Sequence, residues 1–324
     1  MKSHAIIPIF IPHKGCPNSC VFCNQNIITA NEEPVSANTA AGVIDAWLDT
    51  LKNKNLKTVE VAFFGGSFTG LPVDSQSEYL EIASFYKGKG SINKIRLSTR
   101  PDFIDEGILL NLARYGVDTI ELGVQSFDDE VLKKSNRGHT ACQVCKSSFM
   151  IRDYGFGLGI QLMIGLPGDT PEKCVFSANE TVRIKPESAR LYPAVILEGT
   201  ELHNMYLAGS YTPLSTEEAV NTTKQMYKII SSAGINILRV GLKGSFHPAF
   251  RQIVESEIAK DELELHLSPD PSLITFVSNE KSFPNMIGHN KSNKIYFSEK
   301  YPRCKFKYII DNSLADGRYD VRNV

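Results

Sequence analysis

The feature that most constrains the fold is a repeated alternation of strand-like and helix-like segments through the first two thirds of the chain. Apolar segments of strand length are separated by stretches with helical spacing, and the connections between them are short. Such units form a parallel sheet with right-handed crossovers. Their number predicts an α/β fold, a complete or partial TIM-type β/α barrel. The strand-like segments are 6–12, 58–64, 94–99, 118–124, 157–164, 188–193 and 237–242.

The polar and glycine residues that suit chemistry fall where these strands end. In a β/α barrel the active site forms at the C-terminal ends of the strands. The expected site therefore draws on Gly65-Gly66-Ser67, Ser98-Thr99-Arg100, Gln125, Gly165-Leu166-Pro167 and Tyr192-Pro193.

The pattern changes after about residue 245. A helix-like piece, 247–260, precedes an alternating segment, 262–267, that predicts a strand, and 305–310 predicts another. We therefore expect two domains, a barrel over 1–245 and a small α+β unit over 246–324.

Charge and hydropathy exclude several classes of protein. The 324-residue chain has a formal net charge of -1, which argues against a strongly basic nucleic-acid protein but allows a local basic patch. No apolar run is long enough to cross a bilayer. Residues 1–10 are too short and too broken by proline for a signal peptide. The expectation is a cytoplasmic protein with no membrane attachment.

Three cysteines, Cys16, Cys20 and Cys23, lie in one short segment after the first strand. Clustered cysteines in a reducing compartment bind metal or perform redox chemistry. A structural zinc site needs a fourth ligand, which His13 would supply, and three thiols cannot pair among themselves as disulfides. Thiolates also bind iron–sulfur clusters. Three of them leave one iron of a [4Fe–4S] cluster open, as a chemically active centre requires.

With Phe22 before the last cysteine, the C-x3-C-x2-C segment resembles the signature of the radical S-adenosylmethionine (SAM) enzymes. The resemblance implies a partial TIM-type barrel of the radical SAM type, with a [4Fe–4S] cluster on Cys16, Cys20 and Cys23. It also implies that SAM chelates the open iron. One electron then cleaves SAM to methionine and a 5′-deoxyadenosyl radical, which abstracts hydrogen from the substrate.

Further segments resemble the Elongator catalytic subunit and, more distantly, oxygen-independent coproporphyrinogen III oxidase; they are 65–69, 97–102, 121–140, 159–170 and 190–202. By this resemblance the glycines approach the SAM amino group through backbone carbonyls. A planar guanidinium at Arg137 suits a carboxylate. The residues expected to contact SAM are Phe22, Gly65, Gly66, Ser67, Ser98, Gln125, Arg137 and Gln161.

Tyr192 is expected at the mouth of the barrel, where it contacts substrate or shuttles a proton. The alternative is a buried tyrosine with a satisfied hydroxyl. Four further cysteines, Cys142, Cys145, Cys174 and Cys304, raise the alternative of a second cluster, although free cysteine is commonly a small buried apolar residue.

The C-terminal unit contains Gly288 between two helix-like pieces, followed by a strand-like segment. This order resembles a KH RNA-binding module, with Lys291 where the second glycine of the G-x-x-G loop would stand. Gly288, Lys291 and Lys294 are the expected RNA contacts, and the alternative is a structural cap with a solvated basic face. The local basic residues are Lys281, Lys291, Lys294, Lys300, Arg303, Lys305 and Lys307.

Together these features predict a radical SAM enzyme that modifies RNA, with tRNA as the first expectation, and that takes electrons from a donor such as flavodoxin or ferredoxin. No acetyltransferase domain like that of the Elongator subunit is expected after the barrel. Two alternatives stay open. One is a radical SAM oxidoreductase acting on a small-molecule or porphyrin-like substrate, and the other is a non-catalytic iron–sulfur RNA-binding protein.

Overall fold

The computed structural model describes residues 4–11, 15–17, 20–24, 35–241, 247–267 and 273–323. The strands in these ranges are β1 (His4–Ile11), β2 (Thr58–Gly65), β3 (Lys94–Thr99), β4 (Thr119–Gln125), β5 (Gly157–Ile164), β6 (Ser188–Pro193), β7 (Asn236–Val240), β8 (Leu273–Ser278), β9 (Lys305–Ile310) and β10 (Tyr319–Asn323).

Helices alternate with the first seven strands and then dominate the C-terminal part. They are α1 (Ala37–Leu51), α2 (Val73–Gly88), α3 (Glu106–Arg114), α4 (Asp129–Lys134), α5 (Ala141–Asp153), α6 (Pro171–Ile184), α7 (Glu201–Leu207), α8 (Thr216–Ser232), α9 (Phe250–Leu265), α10 (Phe283–Ile287) and α11 (Ser292–Lys300). Short 3-10 turns cover Phe68–Gly70, Pro101–Phe103 and His289–Lys291.

The first seven strands form one parallel sheet in the order of the sequence, curled into a half-barrel with helices. The register is parallel at each pairing from β1 to β6. The predicted α/β architecture, a partial barrel, is confirmed. Because the strands are parallel, all their carboxyl ends lie at one edge of the sheet.

Local sequence signals explain where the helices begin. Each of six helices starts just after a Ser, Thr or Asp whose side-chain oxygen accepts a backbone N–H of the first turn. These residues are Ser36, Asp105, Asp128, Thr140, Thr170 and Thr200. The strands form the core because their apolar side chains are fully covered, as Ile7, Ile9 and Ile11 show in β1.

A second sheet of three strands has the order β10-β8-β9, with β9 parallel and β10 antiparallel to β8. Its core consists of Leu263, Ile274, Phe276, Met286 and Phe297. The strand predicted at 262–267 is wrong, because helix α9 continues to Leu265. The strand predicted at 305–310 is confirmed as β9.

Contacts divide the chain into two compact units. The first comprises Met1–Pro213 with Ile229–Leu238, and the second comprises Leu214–Lys228 with Arg239–Val324. Within the described ranges, no helix is both long and apolar enough to cross a membrane.

Candidate functional site

The cysteine segment follows β1 and lies directly against the turn that follows β2. A Cβ atom added to Gly15 would stand 2.1 Å from the Ser67 carbonyl oxygen, and one added to Gly70 would stand 2.1 Å from the Gly15 oxygen. Two backbones therefore touch, and side chains are excluded at both positions. The contact also brings Cys16 Sγ to 3.3 Å from Ser67 Oγ.

The C-terminal part of the cysteine segment is held by two other elements. The Val21 N–H donates to the Ser135 carbonyl oxygen, which follows α4, at 3.2 Å. The Leu202 N–H of α7 donates to the Val21 carbonyl oxygen at 2.7 Å. Val21, Leu202 and Tyr211 form a buried apolar cluster, and Phe22 packs against it.

Arg137 joins the cysteine segment to β4. Its Nη1 donates to Cys20 Sγ at 3.0 Å, and its Nη2 donates to the Gly123 carbonyl oxygen. A Cβ on Gly123 would lie 3.4 Å from Arg137 Nη2, so the absence of a side chain at Gly123 gives the guanidinium room. Arg137 itself is only 6% exposed.

A second arginine, Arg100, lies near the same thiols. Asp102 accepts from its Nε at 2.9 Å and from its Nη2 at 2.8 Å. Burial alone would lower the pKa of Arg100, but the Asp102 carboxylate and the Cys20 and Cys16 thiols raise it above its usual value. Arg100 therefore stays charged in the interior.

His139 lies beside these arginines and is neutral. Burial, reinforced by the Arg137 charge, lowers the pKa of His139 to about 3. Its Nε2 lies 3.2 Å from the Val124 carbonyl oxygen, to which it donates. The positive charge at this edge therefore comes from the guanidinium groups rather than from histidine.

The end of β4 is bent, and the bend brings two predicted SAM contacts together. Gln125 has a φ of 69°, and the pairing of β4 with β5 shifts between Gly123 and Gln125. Gln161 Nε2 lies 3.4 Å from Gln125 Oε1 as a result. At the end of β2, Gly65 has a φ of 107°, a backbone conformation that residues with a side chain rarely adopt.

A network of buried charges inside the sheet was not predicted from the sequence. Glu121 of β4 accepts from Arg190 Nε at 2.7 Å and from Ser98 Oγ at 3.3 Å. Arg96 Nη1 lies 3.6 Å from the same carboxylate, and its Nε donates to Glu60 Oε1 at 3.1 Å. The predicted SAM contact Ser98 is thus bonded to an interior carboxylate.

The same network reaches Tyr192. Arg190 Nη1 donates to the Tyr192 hydroxyl at 3.4 Å, and the Arg190 guanidinium lies 5.4 Å from the centre of the Phe64 ring. Tyr192 is 6% exposed. A sequence signal for the network did exist, because each of four buried strands carries one charged residue at an inward position: Glu60, Arg96, Glu121 and Arg190.

The residues around the cysteine segment fit a sulfur-rich anionic group. Arg100 Nη1 and Arg137 Nε are buried and have no acceptor among the described residues. Across the same residues, no three His, Cys, Asp or Glu side chains converge as ligands of a single ion would. A [4Fe–4S] cluster instead spreads its cysteine ligands over separate irons. His13, the fourth ligand of the zinc alternative, lies outside the described residues.

The other cysteines occupy separate places. Cys142 is exposed and Cys145 is partly buried on α5, while Cys174 of α6 is buried. The Cys174 thiol donates to Asp169 Oδ2 at 3.0 Å, and burial raises the pKa of that thiol far above its usual value. Cys304 belongs to the second compact unit. Cys174 therefore behaves as a buried hydrogen-bond donor.

In the second unit, the predicted RNA contacts lie in one turn and the helix after it, and Gly288 itself is buried. Gly288 has a φ of 86°, and a Cβ there would stand 2.4 Å from Ser292 Oγ. Lys291 has a φ of 64° and precedes α11, and Lys294 Nζ lies 5.9 Å from the centre of the Tyr308 ring. Both lysines are exposed.

Five of the seven basic residues in this region have no acidic partner at ion-pair distance among the described residues. Lys281 pairs with Asp316, and Lys300 pairs with Glu264. The unpaired ones are Lys291, Lys294, Arg303, Lys305 and Lys307.

Comparison with known proteins identifies the barrel and its extension. Residues 10–179, more than half of the chain, match the sequence profile of the Radical SAM superfamily. Residues 186–260 match the profile of the Radical_SAM C-terminal domain.

Individual proteins are similar over most of this chain. A tRNA uridine(34) acetyltransferase of Dehalococcoides mccartyi is 25% identical over 287 residues, covering 76% of this chain and 62% of the relative. The archaeal Elp3 of Methanocaldococcus infernus superimposes with a TM-score of 0.64 at 20% identity, covering 81% of this chain and 64% of that one. Coproporphyrinogen III oxidase of Escherichia coli superimposes with a TM-score of 0.52 at 17% identity, covering 72% of this chain and 53% of that one. The chain spans less than two thirds of the length of three curated relatives, all of them tRNA uridine(34) acetyltransferases.

Proposed function

Because the chain belongs to the radical SAM superfamily, whose members are enzymes, we propose that Cys16, Cys20 and Cys23 hold a [4Fe–4S] cluster used to cleave SAM. The observation that carries this proposal is the contact of Arg137 with Cys20 in a loop fixed against the β2 turn. When bound, the cluster and SAM together supply a 5′-deoxyadenosyl radical. A one-electron donor such as flavodoxin or ferredoxin provides the electron.

The chain's own residues hold and orient SAM. Gly65, Gly66 and Ser67 offer backbone groups at the edge where Cys16 lies. Gln125 and Gln161, already in contact, offer amide groups that can turn toward ribose hydroxyls. Arg137 keeps the loop in place and carries the charge that suits a carboxylate. Phe22 packs the loop from its apolar side and excludes water there.

Tyr192 is the proposed catalytic residue on the substrate side. Its hydroxyl accepts from Arg190, whose own charge is fixed by Glu121. The Arg190 contact thus orients the hydroxyl for hydrogen bonding or proton transfer to a substrate.

We further propose that the substrate is RNA, and tRNA in particular. Support comes from the relatives named tRNA uridine(34) acetyltransferase and from the exposed lysines of the second unit. The acetyl transfer in those names is not carried over, because this chain spans only part of their length.

The first experiment measures SAM cleavage in the anaerobically reconstituted full chain with dithionite. We expect 5′-deoxyadenosine from the unaltered protein and none from Cys20→Ala. Cys142→Ala, an exposed cysteine on α5, is the matched control and retains cleavage. Cleavage that survives Cys20→Ala would refute the assigned cluster ligands.

The second experiment tests the substrate. Deuterated tRNA is incubated with the reconstituted enzyme, SAM and dithionite, and the 5′-deoxyadenosine is analysed by mass spectrometry. Deuterium in the nucleoside is expected, since the radical abstracts hydrogen from its substrate. Cleavage of SAM without any deuterium transfer from tRNA would count against the RNA substrate while leaving the radical chemistry intact.

A further inference from the structure

Arg100 is buried at the end of β3 in a fixed orientation. It is 3% exposed, and the two carboxylate oxygens of Asp102 bind one edge of its guanidinium, accepting from Nε at 2.9 Å and from Nη2 at 2.8 Å. A bidentate pair of this kind fixes the plane of the guanidinium. One nitrogen, Nη1, is left outside the pair.

The Nη1 atom of Arg100 is buried, and no acceptor among the described residues lies within hydrogen-bond distance of it. Leaving a buried donor without an acceptor is costly, more so for a charged group. The geometry therefore provides a donor for an acceptor that the described chain does not supply.

The surroundings indicate which acceptor this is. A Cβ placed on Gly123 would stand 3.4 Å from Arg137 Nη2 and 3.6 Å from the carbonyl oxygen of Thr99, the residue before Arg100. Arg137 donates to Cys20 Sγ, so Arg100 follows a backbone that borders the loop proposed to hold the cluster. Burial lowers the pKa of Arg100, Asp102 raises it most, and the Cys20 and Cys16 thiols add to that rise. Thr99, the preceding residue, contacts Thr69 of the β2 turn with 2.6 Å between hydroxyl oxygens. That turn touches Cys16 through Ser67.

We propose that Arg100 is a positioning residue whose Nη1–H and charge act on the sulfur atoms of the [4Fe–4S] cluster and set its reduction potential. Asp102 is the counter-charge that holds Arg100 and limits its effect. This inference rests on the proposed function, since it requires a cluster on Cys16, Cys20 and Cys23.

The local charge balance defines the direction of the effect. Arg100 and Arg137 contribute two positive charges, Asp102 contributes one negative charge, and His139 is neutral. Reduction adds one electron, taken from dithionite or a protein donor, and forms or breaks no bond. A nearby positive charge stabilises the more negative, reduced form and therefore raises the potential.

The experiment is a redox titration of the reconstituted full-length protein without SAM, followed by electron paramagnetic resonance. Arg100→Gln is expected to lower the reduction equilibrium constant about tenfold, which is about 59 mV for a one-electron couple. Asp102→Asn is expected to raise the constant, because it removes the counter-charge. Arg100→Lys keeps the charge and is expected to lie between Arg100→Gln and the unaltered protein.

Arg152→Gln, the same substitution on the outer helix α5, is the control and leaves the potential unchanged. Iron is counted in every variant, and about four irons per chain confirm one cluster. If Arg100→Gln loses iron, Asp102→Asn decides the question. An unchanged or lowered potential in Asp102→Asn, or shifts of one sign in both variants, overturns the inference. An unaltered protein that binds no iron refutes the proposed function instead.

Discussion

Gly15 and Gly70 illustrate how the site is built at the scale of single residues. The cysteine segment approaches the β2 turn so closely that neither position has room for a Cβ atom. The φ of Gly15 is +72°, a conformation that other residues rarely adopt. The close approach of the two backbones and the positive φ of Gly15 both require that residue 15 be glycine.

Gly15→Ala is expected to lower the iron bound after reconstitution, because its Cβ would stand 2.1 Å from the Ser67 carbonyl oxygen and push the loop away. Gly42→Ala is the matched control. A Cβ at Gly42 in α1 meets nothing within 4 Å, so the change stabilises the helix by about 0.5–1 kcal/mol. Iron content and thermal unfolding of both variants check this, and full iron binding by Gly15→Ala would contradict it.

His139 makes stability depend on pH. Its pKa is about 3 in the folded protein, against 6.5 for the free side chain, because of burial and Arg137. Below pH 6.5 the unfolded chain binds a proton that the folded chain does not. The free energy of unfolding therefore falls as the pH drops from 6.5 toward 3, by up to about 1.4 kcal/mol per unit.

His139→Gln keeps a donor for the Val124 carbonyl and removes the titrating group. Urea unfolding at pH 7.5 and at pH 5 measures the effect. The stability of the variant relative to the unaltered protein is expected to improve at pH 5. A difference that does not change with pH would show that His139 titrates normally.

At the scale of elements, segment 262–267 shows the limit of sequence patterns. E-L-E-L-H-L alternates as a strand does, but it lies at the end of α9. Leu263 is buried in the second core, whereas Leu265 is 77% exposed. Helix geometry, with about 100° between residues, separates two positions that a strand would place on one face. The segment continues the helix formed by the preceding residues of α9, and a pattern read over six residues could not reveal that.

Leu263→Ala is expected to destabilise the protein by about 2–5 kcal/mol, because it opens a cavity beside Phe276 and Phe297. Leu265→Ala is the control, and its cost is expected to be within about 0.5 kcal/mol, typical of an exposed site. Chemical denaturation measures both values. Equal costs would support a strand at this segment and contradict the helix.

The barrel strands and the cysteine segment were predictable because each carries its signal locally. Buried parallel strands appear as apolar runs, and the turn glycines follow them. The contacts of Arg100, Glu121 and Arg190 were not predictable, because they join residues far apart in the chain. Glu121 and Arg190, for example, are 69 positions apart. A single sequence marks such residues only as charges within apolar strands.

At the scale of the whole molecule, charge is unevenly distributed. The chain has a formal net charge of -1, yet residues 291–307 carry five basic side chains without an acidic partner among the described residues. Long-range attraction to a polyanion is therefore weak, and binding depends on this local group.

RNA affinity is expected to fall steeply with salt, and the Lys291→Ala/Lys294→Ala variant is expected to bind more weakly. The slope of log affinity against log salt should shrink by about 1.4, twice the value for one phosphate contact in single strands. Lys54→Ala/Lys57→Ala removes two exposed lysines with the same spacing from the barrel unit and serves as the control. Equal effects of the two double variants would contradict a binding role for Lys291 and Lys294.

The buried charge network has a consequence for how the barrel folds. Glu60, Arg96, Glu121 and Arg190 come from β2, β3, β4 and β6, so no single strand–helix unit can neutralise its own charge. An intermediate that assembles only the first three of these strands leaves Glu121 without its nearest partner, and an uncompensated buried charge is costly. Such intermediates are therefore disfavoured, and the network makes the addition of β6 cooperative with the assembly of β2, β3 and β4.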